Sequence, residues 1–214
     1  MTQERDRVVL CEGKRDVRLV EQFYELEYAG VEVDRFLAED VDHQRVRNFE
    51  RRKLQNFTER RNPYDVLVKS ENGVENLEFQ FAGLCNVLLK QPDYEVCLLT
   101  DLDKKNYDHL THGSDIRKYR ELLKQLDERI QSVHEGRAYE IEWSDPHAKT
   151  SVQVAGEATL HSKQGPVGSF DVLAFRSDLE EASDIRDGDR DETEGDKLRS
   201  FLASADSRAM TRVL

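Results

Sequence analysis

The sequence predicts an α/β fold, a mostly parallel, Rossmann-like sheet flanked by helices. Two observations predict it. Short apolar runs alternate with amphipathic stretches along most of the chain, the pattern of parallel strands joined by crossover helices. Two of those runs end directly in acids, at the place where open parallel sheets bind their ligands. The 214 residues show no internal repeat and no clear linker, so they read as one domain.

The elements follow in order. RVVLC at 7–11 is a short apolar run bounded by charges and reads as a buried strand. Glu12 and Gly13 break it, and helical periodicity then runs from Asp16 through Tyr24 until Gly30 ends the helix. VEVDRFL is a second strand. Residues 43–62 are polar and locally basic, close at Pro63, and read as a helical insertion. YDVLVKS (64–70) is a third strand, followed by a turn at Glu71, Asn72 and Gly73. Residues 75–91 have helical spacing through Leu77, Phe81, Leu84, Leu88 and Leu89. YEVCLLT (94–100) is the most apolar strand, followed at once by Asp101, Leu102 and Asp103. A helix is expected at about 115–132. AYEIEW (138–143), TSVQVAG (150–156) and FDVLAF (170–175) read as strands of a small C-terminal extension spanning 135–206. The expectation for 184–196 is an acidic loop, with a last helix at 196–206.

Composition limits the function. Hydrophobic and charged residues are nearly equal, 37% and 36%, and the mean hydropathy is -0.76. No apolar stretch approaches the roughly 20 residues of a membrane span. The N-terminal MTQERDRVVL lacks the apolar core of a secretory signal, so the expected compartment is the cytoplasm. Cys11, Cys85 and Cys97 are odd in number, scattered and without a CxxC pair, which argues against a disulfide framework or a zinc ribbon. The net charge of -12 suits a solvated surface in a high-salt cytoplasm or an acidic partner-binding face. It opposes nucleic-acid binding except through local basic patches.

The acids at the strand ends carry the chemistry. Asp101 and Asp103 flank one residue, so in an extended segment both point to one side. Two such carboxylates repel each other unless a cation neutralises them. Mg²⁺ fits, being a hard ion that uses one or two carboxylates and keeps waters for phosphate oxygens. Asp16 lies one helical turn beyond Glu12, which brings those acids to the same end. The run DIRDGDRDETEGDK fails as a calcium loop, because Glu192 and Leu198 stand where that loop needs Gly and Glu.

VVLCEGKRD followed by CLLTDLD resembles the Toprim domain of topoisomerases, bacterial-type primases and several nucleases: strand, Glu-Gly, helix, then a later strand ending in Asp-x-Asp. VLVKSENGVENLEF, with Gly73 in its turn, is similar to the middle Toprim element, so the resemblance covers about 7–110. The finer similarity is to stand-alone and overcoming-lysogenization-defect-type Toprim nucleases of antiphage defence, through Glu12, Gly13 and Asp16. In that group a downstream Asp-x-Glu matches Asp178, Leu179 and Glu180, and a late lysine is matched here by Lys197. Lys104, Lys105 and Asn106 depart from the Gly or Glu often found after the Asp-x-Asp.

The resemblance implies two-metal phosphodiester hydrolysis with Mg²⁺ or Mn²⁺. One ion would sit on Asp101 and Asp103, the other near Glu12, Asp16, Asp178 and Glu180. Glu12 is either a ligand or a general base. Lys14 either stabilises transition-state charge or is a solvated residue at a helix start. A nuclease also needs a basic surface, and Arg51, Arg52 and Lys53 lie in the densest one, with Phe49 and Phe57 interleaved either to stack on bases or to pack the core. No G-x-x-x-x-G-K-[ST] motif is present, so ATP-driven control would need a separate ATPase or regulatory partner. An oligomer is compatible with this reading. The alternative is a non-catalytic Toprim module that scaffolds a nucleic-acid or defence assembly.

Overall fold

The computed structural model describes residues 6–38, 55–57, 64–90, 94–102, 115–136 and 138–214. The strands are β1 (Asp6–Cys11), β2 (Val33–Leu37), β3 (Val66–Ser70), β4 (Tyr94–Asp101), β5 (Tyr139–Trp143), β6 (Ala148–Lys149), β7 (Gln153–Ser162) and β8 (Gly165–Phe175). The helices are α1 (Lys14–Glu27), α2 (Val74–Leu88), α3 (Asp115–Val133), α4 (Leu179–Ser183) and α5 (Asp191–Leu202), followed by a 3₁₀ helix at Ala205–Arg212.

All the strands belong to one mixed sheet in the order β2-β3-β1-β4-β8-β7-β5, with β6 also paired to β7. The first five in that order are parallel, and β5, β6 and β8 pair with β7 antiparallel. The architecture is thus α/β, mostly parallel, and compatible with a Rossmann-like plan. β1 and β4 lie inside the sheet, which is why their sequences are apolar runs rather than period-two alternations.

Each face of the sheet is covered. Leu77, Phe81 and Leu88 of α2 and Tyr119, Leu123 and Ile130 of α3 pack on one face. Val17, Val20 and Phe23 of α1, Leu198 and Phe201 of α5 and Met210 of the 3₁₀ helix pack on the other. Fully burying each such side chain stabilises the fold by about 1.5–3 kcal/mol before ordering costs. All three cysteines are buried free thiols. Phe57 is buried within the α2–α3 core, which decides its role for packing.

The C-terminal strands are not a small extension. β8 lies parallel beside β4 in the main sheet, and it begins five residues before the apolar run FDVLAF. Its first half is held by the β7 hairpin ladder, from Ser162↔Gly165 onward, rather than by apolar burial. The stretch expected as a loop to 196 turns helical at Asp191, and its helix ends at Leu202 instead of 206. Three acids in the first turn of α5 favour that start by complementing the helix dipole. No helix among the described residues is long and apolar enough to cross a membrane.

Candidate functional site

Three adjacent parallel strands, β1, β4 and β8, end at the same edge of the sheet. Glu12 follows β1 directly, Asp101 is the last residue of β4, and Asp178 and Glu180 follow β8 at the start of α4. Asp16 joins them from the first turn of α1. Backbone bonds pin this edge. The Leu102 N–H donates to the Phe175 carbonyl at 2.7 Å, the Glu71 N–H to the Cys11 carbonyl at 3.0 Å, and the Gly73 N–H to the Glu12 carbonyl at 2.9 Å. Gly73 has φ of 111°, a conformation that L side chains rarely adopt, so the turn chemistry read from the sequence serves to hold Glu12.

Each carboxylate is held by a specific donor. The Asp101 N–H donates to Glu12 Oε1 at 2.9 Å, and the Thr100 hydroxyl donates to the same oxygen. The Gly13 N–H donates to Asp16 Oδ2 at 2.9 Å. Asp178 caps α4, accepting from the Glu181 N–H at 2.6 Å. Arg15 reaches Glu180 at 2.7 Å and Glu194 at 2.9 Å. Arg18 meets the other oxygen of Glu194 at 3.0 Å. The two arginines therefore belt α1 to α4 and α5, with Glu180 held by Arg15.

Burial and neighbouring like charges disfavour the ionised carboxylates at this edge. Burial, with the charges of Glu12 and Glu180 adding to it against the Gly13 N–H, pushes Asp16 up to about 8. Burial also raises Asp101 well above the usual carboxylate range, reinforced by Asp16, Glu12, Glu180 and Asp178. Asp101 Oδ1 is shielded from solvent and has no hydrogen-bond partner among the described residues. An all-oxygen donor set with an orphaned buried carboxylate oxygen fits a hard divalent ion. Among the described residues, no three carboxylate, imidazole or thiol side chains already stand close enough to hold one ion.

The other expected site residues divide into two groups. Asp103, Arg51, Arg52 and Lys53 lie outside the described residues, as does nearly all of the expected basic helix at 43–62. Lys14 is exposed at the first position of α1. Lys197 is not drawn to the carboxylates; it binds Asp189 Oδ2 at 2.7 Å and the Asp184 carbonyl, closing the loop between α4 and α5.

Sequence reasoning missed Arg15, Thr100 and Glu194, since each bonds a charged side chain from a distant part of the chain. For Arg15, a signal was present in its place between Glu12 and Asp16 on the first turn of α1. It also missed the buried Lys69–Glu71 ion pair at the end of β3, where the Lys69 ammonium stands 5.6 Å from the centre of the Phe36 ring. No protein-family model matches the chain, and no curated protein matches it.

Proposed function

We propose that the chain is a Toprim-type, metal-dependent phosphodiester hydrolase acting on DNA or RNA. The observation that carries this reading is the convergence of Glu12, Asp16, Asp101, Asp178 and Glu180 on one edge of the sheet, with Asp101 Oδ1 buried and without a hydrogen-bond partner among the described residues. Structural charges normally sit on solvated faces or in ion pairs, and a cluster of like charges costs stability. A binding task explains its presence.

One Mg²⁺ or Mn²⁺ would be held by Asp101 and Asp103, and a second near Glu12, Asp16, Asp178 and Glu180. Bound there, the ion supplies Lewis-acid stabilisation of phosphoryl oxygens and an activated water. Thr100 and the Asp101 N–H keep Glu12 turned toward β4, so that it faces the ion or takes a proton from the water. Arg15 holds Glu180 at the rim and limits its negative field. Lys14, exposed beside the crevice, is free to meet a substrate phosphate. Control by an antiphage partner, including a separate ATPase, belongs to the same reading.

Cleavage of plasmid, single-stranded DNA and total tRNA, with Mg²⁺ or Mn²⁺ at low and high salt, tests it against Asp101→Asn. Metal-dependent cleavage lost in the variant is the expected result. One observation favours a second reading, a non-catalytic Toprim scaffold: no three ligating side chains are already gathered among the described residues. Calorimetric Mg²⁺ binding that depends on Asp101, without cleavage of any substrate even beside a co-purified partner, would decide for the scaffold.

A further inference from the structure

We propose that the groove between β6 and the C-terminal 3₁₀ helix binds the phosphodiester backbone of the polynucleotide and leads it to the carboxylate edge. This inference rests on the hydrolase reading and names how such a substrate is held.

The groove encloses about 480 Å³ and is lined by His147, Lys149, Arg208 and Arg212. All four are exposed. Elsewhere the described arginines are largely engaged: Arg7, Arg15, Arg18, Arg120, Arg186 and Arg199 each pair with an acid. Lys149, Arg208 and Arg212 form no ion pair among the described residues, although Lys149 lies in the field of Asp145. Asp206 is the one acid in the lining, and its carboxylate accepts from the Ser151 hydroxyl. In a chain of net charge -12, Arg208 and Arg212 on the groove wall, with Lys149 at its rim on the other face of β6, are a local exception with a direct use, because phosphates are bound by local positive charge.

Both walls of the groove are tied to the body of the protein. Ala209 and Met210 anchor the 3₁₀ helix in the core, and Ser204 caps it by accepting from the Asp206 N–H. The Thr150 hydroxyl donates to the Asp206 carbonyl at 2.9 Å, tying one wall to the other.

Its position connects it to the carboxylates. Lys149 pairs with Val154, Val154 with Ala174, and Ala174 with Thr100, so the four lie in one row across the sheet. Thr100 is the residue whose hydroxyl holds Glu12. Three inter-strand spacings separate the ends of that row, roughly 14 Å. Val154 and Ala174 are buried, so the row measures a separation: the groove stands about four steps of 3.4 Å from the carboxylate edge.

Fluorescence anisotropy with labelled 20-nucleotide single strands and duplexes of DNA and RNA, between 50 and 200 mM KCl, tests the groove. Asp101→Asn serves as the parent, so that binding is read without cleavage. Reversing Lys149, Arg208 and Arg212 to Glu should weaken binding at least tenfold and flatten the log–log salt slope by about 2–3, with Tm unchanged. If the reversal unfolds the chain, the corresponding Gln substitutions replace it, with the same slope expected. Unchanged affinity and slope, or no binding by the parent at all, would overturn the groove. Groove-dependent binding without cleavage by the wild type in any metal supports the groove and sinks the hydrolase. Cleavage by the wild type with groove-independent binding in the parent does the reverse.

Discussion

Asp101→Asn should make the metal-free protein more stable while abolishing its response to Mg²⁺. The substitution keeps the shape of the side chain and removes one negative charge that faces Asp16, Glu12, Glu180 and Asp178. That charge is not compensated at Asp101 Oδ1, which has no hydrogen-bond partner among the described residues. Leaving a buried polar group unpaired costs about 1–3 kcal/mol and more when it is charged, so exchanging the carboxylate for a neutral amide should relieve about 2 kcal/mol. For a domain of this size each kcal/mol moves Tm by roughly 2–4 °C, giving a rise of about 4–8 °C in EDTA. Mg²⁺ at about a hundred times its Kd adds about 2.7 kcal/mol to a protein that binds it only when folded. Wild type should gain that amount, the variant should not, and the order of stabilities should narrow or reverse. Thermal melts in EDTA and then in excess Mg²⁺ read both effects. A variant less stable than wild type in EDTA would refute the reasoning, since the carboxylate would then be a structural partner. Equal stabilisation of both proteins by Mg²⁺ would place the ion elsewhere.

Other expectations concern the frame around the site. Burial, opposed by Arg7 and reinforced by Glu157 and Glu95, raises Asp171 to about 6. Its ionised form is therefore penalised when folded: the penalty is absent below about pH 4, grows up to pH 6 and is complete above it, at about 3 kcal/mol. Asp171→Asn should match wild type in urea titrations at pH 4 and exceed it at pH 8; a difference that does not grow with pH argues against the assignment. Glu194→Gln leaves Arg15 and Arg18 without their shared carboxylate, which is 9% exposed. A loss of about 1–3 kcal/mol is expected, because the arginines keep some solvent, together with faster amide exchange in α5; unchanged exchange would show that the belt does not hold the helix. At Gly168 an added Cβ would stand 2.1 Å from the Leu89 carbonyl oxygen. Gly168→Ala should therefore cost at least about 2 kcal/mol by forcing β8 away from the end of α2, and a neutral result in denaturant titration would contradict that close approach.

The legible part of this protein is local. RVVLC, YDVLVKS and YEVCLLT are strands because consecutive apolar residues suit positions buried on both faces of a sheet, and the helices of the first half announce themselves by their spacing. Glu12 and Asp101 were legible for the same reason, since an acid immediately after a buried strand must emerge at the sheet edge. The first half of β8, Gly165 to Ser169, carried no apolar signal because the hairpin ladder with β7 holds it. The start of α5 was masked by acids that read as a loop until Arg15 and Arg18 receive Glu194.

Periodicity and strand ends thus determined the α/β class, the buried strands and the carboxylates that could face a crevice. The tertiary structure alone decided that β8 enters beside β4 and brings Asp178 and Glu180 to that crevice. It also decided that Arg15 meets Glu180, that Thr100 holds Glu12, and that Lys149 shares a row with Thr100. The physical reason is range: burial patterns are written residue by residue, whereas strand order and charge pairing join segments 80 to 180 positions apart, as in the bonds of Thr100 to Glu12 and Arg15 to Glu194.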